Sequence, residues 1–228
     1  MIRPTMPIHG HQHVATTLRE FTEHWTRTNA ALGATPLTLS GGYTLANLTA
    51  DRDSIVSLTT AIVVAENGRE VVAADRNAKR VALRERLRQL RAALAGRLAG
   101  TVFAVAVPRV PKHTVSESEI LRALDDAKEV WTRANASLGA NPLILSGGYT
   151  LASFTTDLAA LRAAFAAVTA ADQALRMARR QRDLAEVPIK GRLVQYRRAV
   201  AGSFPLGHAL IESLPAASPR YKRKPKVA

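Results

Sequence analysis

The sequence predicts an all-α fold. It reads as a tandem duplication of a unit of about 100 residues, built from long antiparallel helices as a helical bundle or as coiled-coil hairpins, with a basic C-terminal tail. Three observations lead there. Residues 25–47 and 131–153 are identical at 18 of 23 positions without a gap, at an offset of 106. The agreement continues at the same offset as Arg76/Arg182, Val81/Val187, Arg86/Arg192, Leu87/Leu193, Gln89/Gln195, Arg91/Arg197 and Gly96/Gly202. Apolar residues around both blocks recur at helical steps of 3, 4 and 7. The expected organisation is a flexible His-containing segment over 1–14, repeats over 15–112 and 113–217, and the tail over 218–228.

Each repeat opens with a Trp-bearing helix. In repeat 2, Ser116 and Glu119 form the S-x-x-E capping box, and the helix runs to Leu138 with Gly139 closing it. In repeat 1, Thr17 and Glu20 are the expected box. The stripe is Leu18, Phe21, Trp25 and Leu32, with Gly33 closing. Pro36 and Pro142 forbid continuation of these helices.

The corner follows. The phrase LSGGYTLA stands at 39–46 and again at 145–152. Gly41-Gly42 and Gly147-Gly148 match neither a P-loop nor a dinucleotide-binding fingerprint. They are expected to turn tightly at positive φ, packing Tyr43 and Tyr149 against Trp25 and Trp131. Asn29 and Asn135, one helical turn after each Trp, are placed to bond the corner's backbone.

A long helix is expected from about Thr49 and Thr155, with Asp51 or Asp157 in its first turn. Pro188 suggests that it breaks near 187. In repeat 1 the stripe Leu83, Leu87, Leu90, Leu94 and Leu98, extended backwards at 100° per residue, puts Arg76 and Arg80 on the apolar side. That phase conflict predicts a break near Val81, and a third helix that folds back on the second. Asn67-Gly68 is a competing break in repeat 1 alone.

Six charged residues interrupt the long helix's apolar stripe: Glu66, Arg69 and Arg76 in repeat 1, Asp172, Arg179 and Arg182 in repeat 2. They read either as a paired charge network that sets register or as a helix end that projects into solvent.

Composition narrows the function classes. There is no Cys, so no disulfide, thiolate nucleophile or Cys-held zinc forms. Of 32 basic residues 25 are Arg, and the net charge is +14. This favours anionic partners, or reflects only the bias of an Ala- and Arg-rich chain. Arg84, Arg88 and Arg91 beside the Leu stripe, with Arg220, Lys222, Arg223, Lys224 and Lys226 in the tail, are the candidate polyanion-binding residues. His9, His11 and His13 alternate as metal ligands can, yet a segment rich in Gly, Pro and His is expected to be loose. No metal or other cofactor is expected. His24, His113 and His208 have no partners by spacing, and no nucleophile motif occurs.

The expected function is therefore a non-enzymatic helical scaffold or self-assembling protein. Its partner is a second copy or another protein. The alternative is sequence-independent binding of nucleic acid or another polyanion. No apolar run of about 18–20 residues and no signal-like N-terminus stand out, which favours the cytoplasm.

Overall fold

The computed structural model describes residues 9–112 and 115–216. Among them the chain is helical with no strand, in the order α1 (His9–Leu32), α2 (Leu45–Arg97), α3 (Val102–Ala106), α4 (Glu117–Leu138), α5 (Leu151–Ser203) and α6 (Ala209–Glu212).

Several helix ends follow from local chemistry. α4 begins at the capping box: the Glu119 N–H donates to the Ser116 hydroxyl and the Ser116 N–H donates to the Glu119 carboxylate. Gly139 closes it at φ 60°, and Gly33 follows α1 at φ 65°. α1 differs from expectation. It spans His9–Leu32, so Thr17 is a buried helix-interior residue and not a cap. The segment 9–14 is helix here and not a loose leader.

α2 and α5 begin at Leu45 and Leu151, four residues before the expected starts. The reason is a cap one residue earlier. Thr44 donates its N–H and its hydroxyl to Asn47 Oδ1, and Thr150 Oγ1 accepts from the Ser153 N–H.

The expected breaks at 81 and 187, and at Asn67-Gly68, do not occur. α2 and α5 are each one uninterrupted helix of 53 residues. Pro188 lies inside α5 on the exposed face, beside exposed Leu184, whose carbonyl loses its helical partner where water can replace it. The phase conflict in α2 has another resolution. Arg76 lies over the Phe165 ring at 5.8 Å, and Arg80 donates to the Val115 carbonyl at 2.7 Å. Their stems cover apolar surface while their heads find partners.

The described residues form two compact units. One comprises 9–64 and 176–216, the other 65–112 and 115–175. The first unit takes α1, the corner at 39–43, residues 45–64 of α2 and residues 176–203 of α5. The second takes α4, the corner at 145–149, residues 151–175 of α5 and residues 65–97 of α2. The expected hairpin, in which a third helix folds back onto the second, does not form, because neither long helix breaks.

The core of the first unit joins Leu18, Phe21 and Trp25 of α1, and Leu48 and Ile55 of α2, to Ile189, Leu193, Tyr196 and Val200 of α5. The core of the second joins Leu124 and Trp131 of α4, and Phe154, Leu158, Leu161 and Phe165 of α5, to Leu83, Leu87, Leu90 and Leu94 of α2. Within the second unit the two long helices run antiparallel. Arg69 pairs with Asp172, Arg76 covers Phe165 and Arg86 covers Tyr149.

α5 is long and apolar enough to cross a membrane by length and composition, against the expectation that no segment is. One 18-residue window reaches a mean hydropathy of 1.3 and is 33% buried.

Candidate functional site

The two corners are the most elaborated features of the chain. Leu39 donates its N–H to the Tyr43 carbonyl at 2.8 Å, and Leu145 does the same to Tyr149 at 2.9 Å. Between them the chain reverses through Gly41 and Gly42 at φ 74° and 73°, and through Gly147 and Gly148 at 77° and 72°. These angles are open to Gly and strained for other residues.

Asn29 and Asn135 fasten each corner to its Trp helix. Their Oδ1 atoms accept from the Leu37 and Leu143 N–H groups at 2.9 and 2.8 Å. Tyr43 donates to Asp51 at 2.5 Å, and Tyr149 to Asp157 at 2.6 Å. Burial first, and then this bond to a carboxylate, pushes both phenols well above the usual tyrosine range. The rings tilt against Trp25 and Trp131, with centroids 6.2 and 6.5 Å apart.

An Arg from the long helix that does not follow it completes each corner. Arg86 of α2 lies over Tyr149 at 4.1 Å, donates to the Ser146 carbonyl at 3.4 Å, and bonds Gln89. Arg192 of α5 lies over Tyr43 at 4.9 Å, donates to the Ser40 carbonyl at 2.8 Å, and bonds Gln195. Every member of the second set stands 106 positions from its counterpart in the first. The corner is thus a receptor for an Arg of its own chain. The sequence carried a signal for this: Arg86/Arg192 and Gln89/Gln195 are among the positions that stay identical at the offset of 106.

A second polar cluster lies inside the first unit. His24, Thr28 and Tyr196 are fully buried. Nδ1 of His24 lies 2.7 Å from the Tyr196 hydroxyl, which is 2.9 Å from Thr28 Oγ1. Nε2 of His24 lies 2.9 Å from the Leu210 carbonyl. A carbonyl only accepts, so Nε2 carries the proton and Nδ1 accepts from Tyr196. Burial lowers the His24 pKa, opposed by the bond to Leu210. Burial pushes Tyr196 up to about 12. Tyr196 also stacks on Trp25 at 4.6 Å. Spacing alone missed this cluster, because its members lie up to 186 residues apart.

The remaining candidates are placed as follows. Arg84 donates to the Pro111 carbonyl at 2.8 Å, and Arg91 to those of Val107 and Pro108 at 2.7 and 2.9 Å. Arg197, 106 positions after Arg91, likewise donates to the Pro215 carbonyl. These arginines hold the chain that leaves each long helix. Arg88 pairs with Glu85 on the surface. The tail residues Arg220, Lys222, Arg223, Lys224 and Lys226, and His113, lie outside the described residues, as do the side chains of His9, His11 and His13.

Two of the stripe charges pair between the long helices, Arg69 with Asp172, while Arg76 covers Phe165 and bonds Asn77. Glu66 is half-buried. Arg182 is only 5% exposed, beside Asp183 and buried Glu186, so its segment does not project into solvent. Among the described residues no three His, Asp or Glu side chains are grouped to hold a metal ion.

No protein family, characterised protein or solved structure matches this chain.

Proposed function

We propose that the chain is a tandem duplication acting as a non-enzymatic helical scaffold, one that self-assembles or docks a protein partner. The observation that carries this reading is the reciprocal closure of the corners by Arg86 and Arg192. A duplicated unit that cannot close its own corner is built for pairing, and here the pairing partner has been fused into the same chain.

Self-assembly has separate support. On α5, Met177, Leu184, Val187 and Val194 follow one another at steps of 7, 3 and 7 and are all exposed. Two of these positions have exposed counterparts 106 residues earlier on α2, Val71 and Val81. An exposed apolar face on α5, matched at two of its four positions on α2, suits a second copy of the chain, which can meet like with like.

The polyanion alternative is weaker, because Arg84 and Arg91 bond carbonyls of their own chain and Arg88 is paired. Light scattering on the purified protein, with the 260/280 nm absorbance ratio read on the same peak, tests both. A mass above one chain at a protein-like ratio is the expected result. A strict monomer at all concentrations, with no protein recovered in pull-downs, overturns the scaffold reading. A nucleic-acid-like ratio that falls with added salt establishes the alternative.

A further inference from the structure

The two units share a plan, yet three contacting positions differ together. In the first unit the Trp helix offers His24 and Thr28, and the incoming half of α5 offers Tyr196. The positions 106 residues away are Val130, Ala134 and Leu90. Ala134 and Leu90 are fully buried in the second unit's core, and Val130 is partly buried against the same cluster. A hydrogen-bonded set on one side of the chain is matched by an apolar set on the other.

We infer that these six residues decide which half-helix each Trp helix accepts. His24 and Thr28 select Tyr196; Val130 and Ala134 select Leu90. The inference rests on the tandem-duplication reading and adds a rule for who pairs with whom.

The competitor that the rule excludes is a second copy of the chain. α2 is one continuous helix, rising about 1.5 Å per residue, so its own second half is carried away from α1. The second half of α2 can reach an α1 only from another molecule. That pairing would set Leu90 against His24 and Thr28, leaving buried polar atoms without the phenol that satisfies them. The corresponding pairing of α4 with a second copy's α5 would set the Tyr196 hydroxyl against Val130 and Ala134, which offer no acceptor. A buried polar group stripped of its partner is penalised by its full desolvation. Specificity therefore comes from disfavouring the wrong match as well as from stabilising the right one. The Leu210 carbonyl and Ser213 hydroxyl, at 2.9 and 3.3 Å from His24 Nε2, hold the imidazole in the tautomer that accepts from Tyr196.

The test is a cycle in the full chain: Tyr196→Leu, the double variant His24→Val/Thr28→Ala, and all three together. The first two each leave buried polar atoms unmatched and are expected to lower Tm by roughly 5–10 °C. The triple variant, which copies the second unit's apolar set, is expected to regain most of that loss. Refolded from denaturant at rising concentration, it should yield more multi-chain species than wild type, because either half-helix now fits either Trp helix. A triple variant as unstable as the sum of its parts, or one that refolds to the wild-type mass distribution, overturns the inference. Should it not fold, Leu90→Tyr/Val130→His/Ala134→Thr reads the same rule in the second unit. There the triple must be more stable than Leu90→Tyr alone, and the reverse order overturns the inference. A monomeric wild-type protein would count against self-assembly while leaving this coupling intact, so the two failures are distinguishable.

Discussion

Arg86 lies over the ring of Tyr149, its guanidinium carbon 4.1 Å from the ring centroid, although α2 carries the one and the corner before α5 carries the other. The same relation joins Arg192 to Tyr43. Each Gly-Gly-Tyr corner is therefore finished by the long helix that does not follow it.

Removing either Arg should loosen one unit. Arg86→Ala and Arg192→Ala are each expected to cost about 1 kcal/mol in chemical denaturation, from the lost stacking and the lost bond to a corner carbonyl. Arg86→Lys should lose most of this as well, because an ammonium does not combine a flat stack with a fork of donors. The two corners share no residue, so the double variant should lose the sum. A double variant that loses far less would show that the corners are not separate sites.

Glycine substitutions should differ in sign by position. Gly41→Ala puts a side chain at φ 74°, where a Cβ meets nothing nearer than Arg192 at 3.9 Å. Its cost, about 1 kcal/mol, is then conformational and not steric. Gly68 sits within α2 at ordinary helical φ with nothing near its Cβ. Gly68→Ala should raise stability by about 0.5–1 kcal/mol. Thermal melts of both single variants check the contrast.

Stability should fall at both ends of the pH scale. Folding holds His24 neutral by lowering its pKa from 6.5, with burial the main cause and Arg27 adding to it. Its contribution is complete above pH 6.5 and is lost as pH falls through the lowered value. Tyr43, Tyr149 and Tyr196 are raised above 10, so their contributions are complete below pH 10 and are lost as pH climbs through the raised values, about 12 for Tyr196. Denaturant midpoints against pH should form a plateau between about 6.5 and 10. The acid limb should flatten in His24→Val/Thr28→Ala/Tyr196→Leu, and an unchanged limb would exclude His24 as its source.

Arg182 is the most costly charge to remove. It is buried beside Glu186 at 3.7 Å, and Glu186 also faces Lys190 at 3.3 Å. Arg182→Met should cost about 3 kcal/mol by leaving a buried carboxylate under-compensated. Adding Glu186→Gln should return part of that loss. A double variant worse than Arg182→Met would show that Glu186 relies on other partners.

Much of the local structure was legible in the sequence because its causes are local. The capping box at Ser116, the closing role of Gly139, the positive φ of the Gly pairs and the corner bonds of Asn29 and Asn135 all follow from residues within one or two turns of each other. The continuity of the long helices is not legible in the sequence for a physical reason. A change of phase along α2 marks a change of packing partner and not of direction. Thr17 carries the same ambiguity, because S/T-x-x-E fits a helix interior as well as a helix start.

Trp-bearing helices, Gly-Gly corners and long amphipathic helices, each present twice, are readable from residue order alone. That each corner is closed by an Arg of the long helix that does not follow it emerges only on folding. The apolar period of a half-helix is the same whichever Trp helix it packs on, so periodicity cannot choose between them. The choice rests on contacts spanning more than a hundred residues: Arg192 on Tyr43, and Tyr196 between His24 and Thr28. These become neighbours only because α5 runs unbroken and brings its second half onto α1.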